Sequence, residues 1–221
     1  MRTNLLRPTI VGILILSGNH GYSQGTFANL NFENSIITWD PSQPGEVPIA
    51  NALPGWTGYL GGQPTVHALY NTVSLGDAAI SLQGPGSVRP AIEGSYSVIL
   101  QPSSAGFPTS AALAQTGQIP SWARSLLYDG GLVFQVSFDG QRMPIIPLSG
   151  HGDYFLVGAD ISGFAGQTGE LKFLVAPQQF GVMGYLDNIQ FSPEPLPEPS
   201  TLCLFGFGAL LLGWRFRCKR T

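Results

Sequence analysis

Cysteine is missing from all but the end of this chain: both of its cysteines, Cys203 and Cys218, fall in the last stretch. A body without cysteine has neither disulfides nor thiolate metal sites, so its stability must come from its core. Charge is scarce as well, at 10% of residues, and Gly (29) and Pro (18) are abundant. That balance excludes long charged helices and favours many turns. Basic residues are scarcest of all in the middle. Arg2 and Arg7 open the chain, and Arg215, Arg217, Lys219 and Arg220 close it. Only Arg89, Arg124, Arg142 and Lys172 lie between, against all thirteen acidic residues. An acidic body repels phosphate backbones, which argues against nucleic acid as a partner. Disorder is excluded too, because aliphatic and aromatic residues recur throughout and no long charge block appears.

At 221 residues the chain has room for one domain with a real core once its ends are set aside. Residues 1–23 have the three-part form of a secretory signal: Arg2 and Arg7, an apolar stretch over 10–16, then Gly21, Tyr22 and Ser23 as a small-x-small cleavage pattern. A buried N-terminal strand would not need the flanking arginines. Export is the expectation.

The other end is built differently. Residues 193–200 form a Pro- and Glu-rich linker, residues 201–216 are apolar or small apart from Arg215, and residues 217–221 are a basic tail. The apolar stretch is near the lower limit of the ~17–25 residues that cross a bilayer as a helix. Arg215 can snorkel and Trp214 can sit at headgroup level, so a single transmembrane helix with a cytoplasmic tail is expected. The order Pro197-Glu198-Pro199-Ser200, span, then Arg217, Lys219 and Arg220 resembles the PEP-CTERM sorting signal of exported bacterial proteins. In that family an exosortase, a membrane-embedded transpeptidase, cuts near the motif and releases the body to the cell surface or extracellular polysaccharide. The resemblance implies an exosortase as partner and a helix that serves as a temporary tether. The alternatives are a permanent single-pass anchor or a buried apolar helix; Cys203 and Cys218 read as incidental, with palmitoylation of Cys218 as the competing reading.

Between these ends, over residues 24–192, a period of two dominates. In GLVFQVSFDGQRMPIIPL, Leu132, Phe134, Val136 and Phe138 share a face, and Asp139-Gly140 supplies a type I′ turn. Met143 to Ile146 form the returning strand. Further strands are expected over 28–32, 78–83, 96–101, 125–128, 154–158, 170–174 and 185–192, with a helical turn over 110–115. Short strands at such spacing predict an all-β fold, an antiparallel two-sheet sandwich or jelly roll. The phrases NLNFEN, ALPGWTGY, YFLVGADISGFAGQTGELKF and YLDNIQFS resemble the galactose-binding-like jelly rolls of secreted bacterial proteins, a group that includes carbohydrate-binding modules.

Four sets of residues are candidates for chemistry. Glu33 and Asp187 lie in the first and last of these segments, where two carboxylates and backbone carbonyls could hold a structural Ca²⁺; the resemblance implies the same, since some such jelly rolls hold calcium between these phrases. The competing reading has Glu33 solvated and Asp187 capping a turn. Trp56 and Tyr59, in a Gly-rich loop, are the best placed aromatics for stacking on sugar rings, against the plain alternative of core packing. His151 and Asp153 are half of a proton shuttle or metal site, and otherwise loop residues. Paired acids for glycoside hydrolysis cannot be placed from spacing. The resulting expectation is a non-enzymatic exported protein, structural or carbohydrate-interacting. A polysaccharide-modifying enzyme is the rival, and it needs two acids, or an acid and His151, in one concave pocket.

Overall fold

The computed structural model describes residues 25–38, 45–103, 107–177 and 182–197. The signal segment, Glu198, Pro199, Ser200, the 201–216 span and the basic tail lie outside the described residues. No helix among the described residues is long and apolar enough to cross a membrane.

The described residues fold into strands β1 (Gly45–Pro48), β2 (Thr57–Leu60), β3 (Gln63–Thr65), β4 (His67–Tyr70), β5 (Ala79–Gln83), β6 (Ser97–Gln101) and β7 (Ala111–Gln118). There follow β8 (Ser125–Gly130), β9 (Gln135–Phe138), β10 (Gln141–Met143), β11 (Ile145–Gly150), β12 (Phe155–Asp160), β13 (Thr168–Val175) and β14 (Gly184–Ser192). A four-residue helix at Ile49–Ala52 and a 3-10 turn at Ser162–Phe164 are minor. One sheet runs β1-β4-β5-β6-β14-β8-β12-β11 and the other β10-β9-β13-β7-β2-β3. Only the β4–β5 pair is parallel among these ladders. The expected all-β, two-sheet sandwich is what the chain forms.

The inward faces meet in one core. In β13 the period of two is unbroken: Leu171, Phe173 and Val175 are buried, while Glu170, Lys172 and Leu174 are half-buried between them. Phe173 lies edge-on to Tyr128 and Phe134, with ring centroids 5.4 and 6.0 Å apart, and 6.3 Å from Trp56. In β5 and β6 every residue is buried, because a loop covers their outer face. Gln83 Nε2 donates to the Thr72 carbonyl and Gln101 Nε2 to that of Ser74, so the covering backbone is hydrogen-bonded rather than stranded. The sheet edges are blunted: Pro48 is in β1, Pro64 in β3, Pro147 beside a bulge in β11, and β10 is three residues long.

The Asp139-Gly140 turn has both residues at positive φ, 47° and 77°, as a type I′ hairpin between β9 and β10 requires. The return differs from expectation, since β10 ends at Met143 and Pro144 passes the chain to β11 in the other sheet. Two segments overturn their sequence reading. Residues 110–115, expected as a helical turn, are strand from Ala111 on: they belong to β7, which pairs along its whole length with β13. Residues 28–32, expected as a strand, are a turn with Asn29 and Phe32 at positive φ. This turn is held by side chains: Gln115 Oε1 accepts from the Ala28 N–H (2.6 Å), and its Nε2 donates to the Ala28 carbonyl (2.9 Å).

After β14 the chain stays on the body. The Ser125 hydroxyl donates to the Glu194 carbonyl (2.8 Å), and the Glu194 N–H to Ser192 Oγ. Leu196 covers Gly158, where an added Cβ would lie 2.5 Å from the leucine side chain. Gly158→Val should therefore expel Leu196. Hydrogen exchange of the Glu194 and Leu196 amides is expected to rise about tenfold with β13 unchanged, and unaltered exchange would show that Gly158 does not seat the linker.

Candidate functional site

On β14, a register shift between Asp187 and Gln190, with Asn188 at φ 49°, changes which residues face inward. Leu186 points to the core before the shift, and Ile189 and Phe191 do so after it. Tyr185 and Asp187 therefore share the outer face of the sheet, where residues 84–96 fold over them.

Under that cover Asp187 is fully buried. Its Oδ2 accepts from the Glu93 N–H (2.9 Å) and its Oδ1 from the Asn188 N–H (2.7 Å). Glu33 Oε1 accepts from the N–H groups of Ser95 and Tyr96 (2.8 and 2.9 Å). Gly94 sits at φ 60° with no room for a side chain, because a Cβ would meet Glu33. Burial pushes the Asp187 carboxyl up to about 7, and the charges of Glu93 and Glu33 push the same way against its two amide hydrogen bonds.

Glu33 and Asp187 are thus brought to one short segment, as expected of the first and last segments of the body, where the Ile189 N–H donates to the Leu30 carbonyl. The oxygens meet amide hydrogens, however, in the places where a cation would stand. Two carboxylates already capped by N–H donors do not make the ~6–8-oxygen cage of Ca²⁺. Among the described residues no group of three or more His, Cys, Asp or Glu is arranged to hold a metal. The pair acts as two struts that pin residues 93–96 to the sheet.

Trp56 corrects its sequence reading. Gly55, at φ 88°, turns the indole inward, where it is buried between Phe32 and Phe173 and its Nε1 donates to the Asn29 carbonyl (2.9 Å). A ring fixed in the core offers no face to a sugar. Tyr59 is half-buried on β2, and the Lys172 ammonium lies 4.6 Å from its ring centroid, so that face is occupied. Pro197 is exposed where the linker leaves the body.

The concave site is elsewhere. A cleft of about 590 Å³ opens between residues 88–92 and residues 151–154, with Tyr185 on its wall. That volume is within the range of small-ligand sites. Arg89 donates from Nη1 to the Tyr185 hydroxyl, and its guanidinium lies 5.7 Å from the Tyr185 ring centroid. In the same lining the His151 ring stacks on Tyr154, with centroids 5.4 Å apart and planes 20° apart. His151 Nε2 pairs with Ser149 Oγ (2.9 Å). An acid and His151 do line one concave pocket, since Asp153 is there as well. Sequence reasoning missed Arg89 and Tyr185. The available signal was the rarity of cations in the body, which leaves an arginine in a Gly- and Pro-rich loop without a structural reason to be there.

Residues 195–220 match the PEP-CTERM protein-sorting motif. This motif is a substrate signal for exosortase processing, and it implies an exported protein that is sorted at the membrane towards the surface. It starts three residues past the end of β14, directly on the docked linker. No curated protein is found to match the chain in sequence. Among solved structures, an apo-form cyclase from Fischerella sp. is similar over 79% of this chain and 97% of its own, at 18% identity and a TM-score of 0.46. A Stig cyclase from Fischerella sp. TAU, solved with an indole compound, is similar over 78% and 98%, at 18% identity and a TM-score of 0.45. No activity is carried across from either.

Proposed function

We propose that this protein is a non-enzymatic β-sandwich that an exosortase releases from its C-terminal tether to the cell surface or the extracellular polysaccharide, where it interacts with carbohydrate. The observation that carries this reading is the PEP-CTERM match at the end of a folded, disulfide-free body. Support for the carbohydrate part comes from the cleft, where the His151 and Tyr154 rings lie in one lining with the polar groups of Arg89 and Asp153. Sugar rings present apolar C–H faces and peripheral hydroxyls, which such a lining complements.

The test is the intact mass of the protein from its native host, measured fraction by fraction, with a pull-down on that host's own exopolysaccharide. A product that starts near Gln24 and ends near Pro199 outside the cytoplasmic membrane, and that is retained by the polysaccharide, is the expected result. A membrane-bound product that keeps residues 217–221 would make the chain a permanently anchored surface protein and would sink the sorting step. A blank pull-down would sink the carbohydrate role.

One observation favours a second reading. His151 and Asp153 share the cleft, which is what a polysaccharide hydrolase or lyase would need. Against it, His151 Nε2 is engaged by Ser149, and Asp153 is the only carboxylate in the described lining where hydrolysis commonly uses a pair. New reducing ends or unsaturated uronates from the exopolysaccharide, abolished by His151→Ala, would establish the enzyme.

A further inference from the structure

We infer that the cleft between residues 88–92 and 151–154 takes a carboxylate-bearing sugar, a uronate unit of an acidic polysaccharide, with the Arg89 guanidinium as its anion partner. This deepens the carbohydrate reading above and rests on it.

Arg89 is one of four cations in a body with thirteen acids, and it stands in the cleft without an ion pair among the described residues. Lys172, by contrast, is paired with Glu170 at 3.6 Å and lies over Tyr59. Arg124 and Arg142 have no ion pair among the described residues either, so it is its place in the cleft that sets Arg89 apart. Arg89 is fastened to Tyr185, through the hydroxyl and over the ring. The side chain is thereby ordered before any ligand arrives, which lowers the entropy cost of binding. A guanidinium has five N–H donors in a planar fork, and one bond to a tyrosine leaves enough to meet a carboxylate in two-point fashion.

The rest of the cleft suits a sugar rather than a bare anion. His151 and Tyr154 line the same cleft as the cation and stack on each other, and an outer face of that stack can carry a pyranose. Asp153 accepts hydrogen bonds from sugar hydroxyls but would repel a second negative charge. One cation beside one acid fits a chain in which a single uronate stands among neutral sugars, and it fits a polyuronate, a polyphosphate or a nucleic acid poorly, since these need rows of cations and the acidic body repels them. Arg89 is exposed, so the contribution of its charge should weaken as salt rises.

The experiment uses the full-length chain in detergent, titrated calorimetrically with galactan oligomers that carry one terminal glucuronate and, in parallel, with the same neutral galactan oligomers without it. The glucuronate-bearing oligomer is expected to bind more tightly than the neutral galactan. Arg89→Gln should weaken the uronate at least about tenfold, in keeping with loss of a charge-assisted hydrogen bond, and should leave galactan unchanged. Arg89→Lys should recover only part of the loss, because an ammonium has no fork. Tyr154→Ala should weaken both ligands. If Arg89→Gln binds the glucuronate-bearing oligomer as the parent does, or if galactan binds equally well, the uronate assignment is wrong while a carbohydrate role stands. If neither oligomer binds and the host's exopolysaccharide is not retained either, both readings fail.

Discussion

Phe173→Ala is expected to destabilise the body by about 3–5 kcal/mol, the range for an aromatic side chain removed from a close-packed core. Phe173 is fully buried on β13 and touches rings from three other parts of the chain: Tyr128 on β8, Phe134 before β9 and Trp56 before β2. Two of these contacts are edge-to-face, and such pairs add about 0.5–1.5 kcal/mol to the area they bury. The cavity would open between the sheets, where β7 and β9 flank β13 and cannot close in without breaking their ladders. Domains are stable by only about 5–15 kcal/mol, and here no disulfide shares the burden, so this one change removes a large part of the total. Urea unfolding, followed by the fluorescence of Trp56 and its fellow tryptophans, measures the loss. Phe173→Leu, which leaves a smaller gap, should cost less and remain folded if the alanine variant does not. A cost below about 1 kcal/mol for the alanine variant would mean that the aromatic cluster is not the centre of the core.

The reasons why parts of this fold were legible and parts were not are local. β13 was legible because its faces alternate between core and surroundings, so its sequence carries the period of the strand. The Asp139-Gly140 turn was legible because positive φ at two successive positions admits few residue pairs. β7 was not, because Ala111, Ala112, Leu113 and Ala114 are all buried and alternation vanishes in a strand covered on both faces. Alanine then reads as helix, and tertiary pairing overrides that propensity. Residues 28–32 misled in the opposite way: Phe27, Leu30 and Phe32 are core residues carried by a turn, whose backbone is satisfied by the Gln115 and Asn29 side chains rather than by a ladder. At the site, Glu33 and Asp187 meet because a turn at 28–32, not a strand, packs on β14, and only their places near the two ends of the body could be read from the sequence. What they bind could not, because it depends on the backbone of residues 93–96, and amide groups leave no mark on sequence. Arg89 and Tyr185 lie ninety-six positions apart and are joined only through the way residues 84–96 fold over β14.

Stability should fall as pH rises from about 4 to 8, and Asp187 should be the reason. In the unfolded chain its carboxyl titrates near 3.8, and in the folded body near 7. Below 3.8 the group is neutral in both states, so the whole advantage of the buried neutral acid is present. Between 3.8 and 7 the unfolded chain gives up the proton and the folded body keeps it, so ionisation draws molecules towards the unfolded state. Above 7 the folded body ionises as well and the loss stops growing. A difference of about three pKa units corresponds to about 4 kcal/mol over that window, or roughly 8–16 °C in melting temperature for a domain of this size. The charges of Glu93 and Glu33 are part of that rise, behind burial. Asp187→Asn cannot ionise, so its profile should lose this slope. The amide must point its NH₂ at one of the two N–H groups that Asp187 now accepts, Glu93 or Asn188, at a cost of about 1–3 kcal/mol at every pH. The variant is therefore expected to be less stable than the parent at pH 4 and to match or overtake it at pH 8. Thermal unfolding of both proteins across that range decides the matter. Parallel profiles would assign the pH dependence to other groups and leave Asp187 as a hydrogen-bonding strut alone. Converging or crossing profiles would mean that the carboxylate under the 84–96 cover is kept for what it holds in place, at a cost the fold bears near neutral pH. What it holds in place is the base of the loop that carries Arg89.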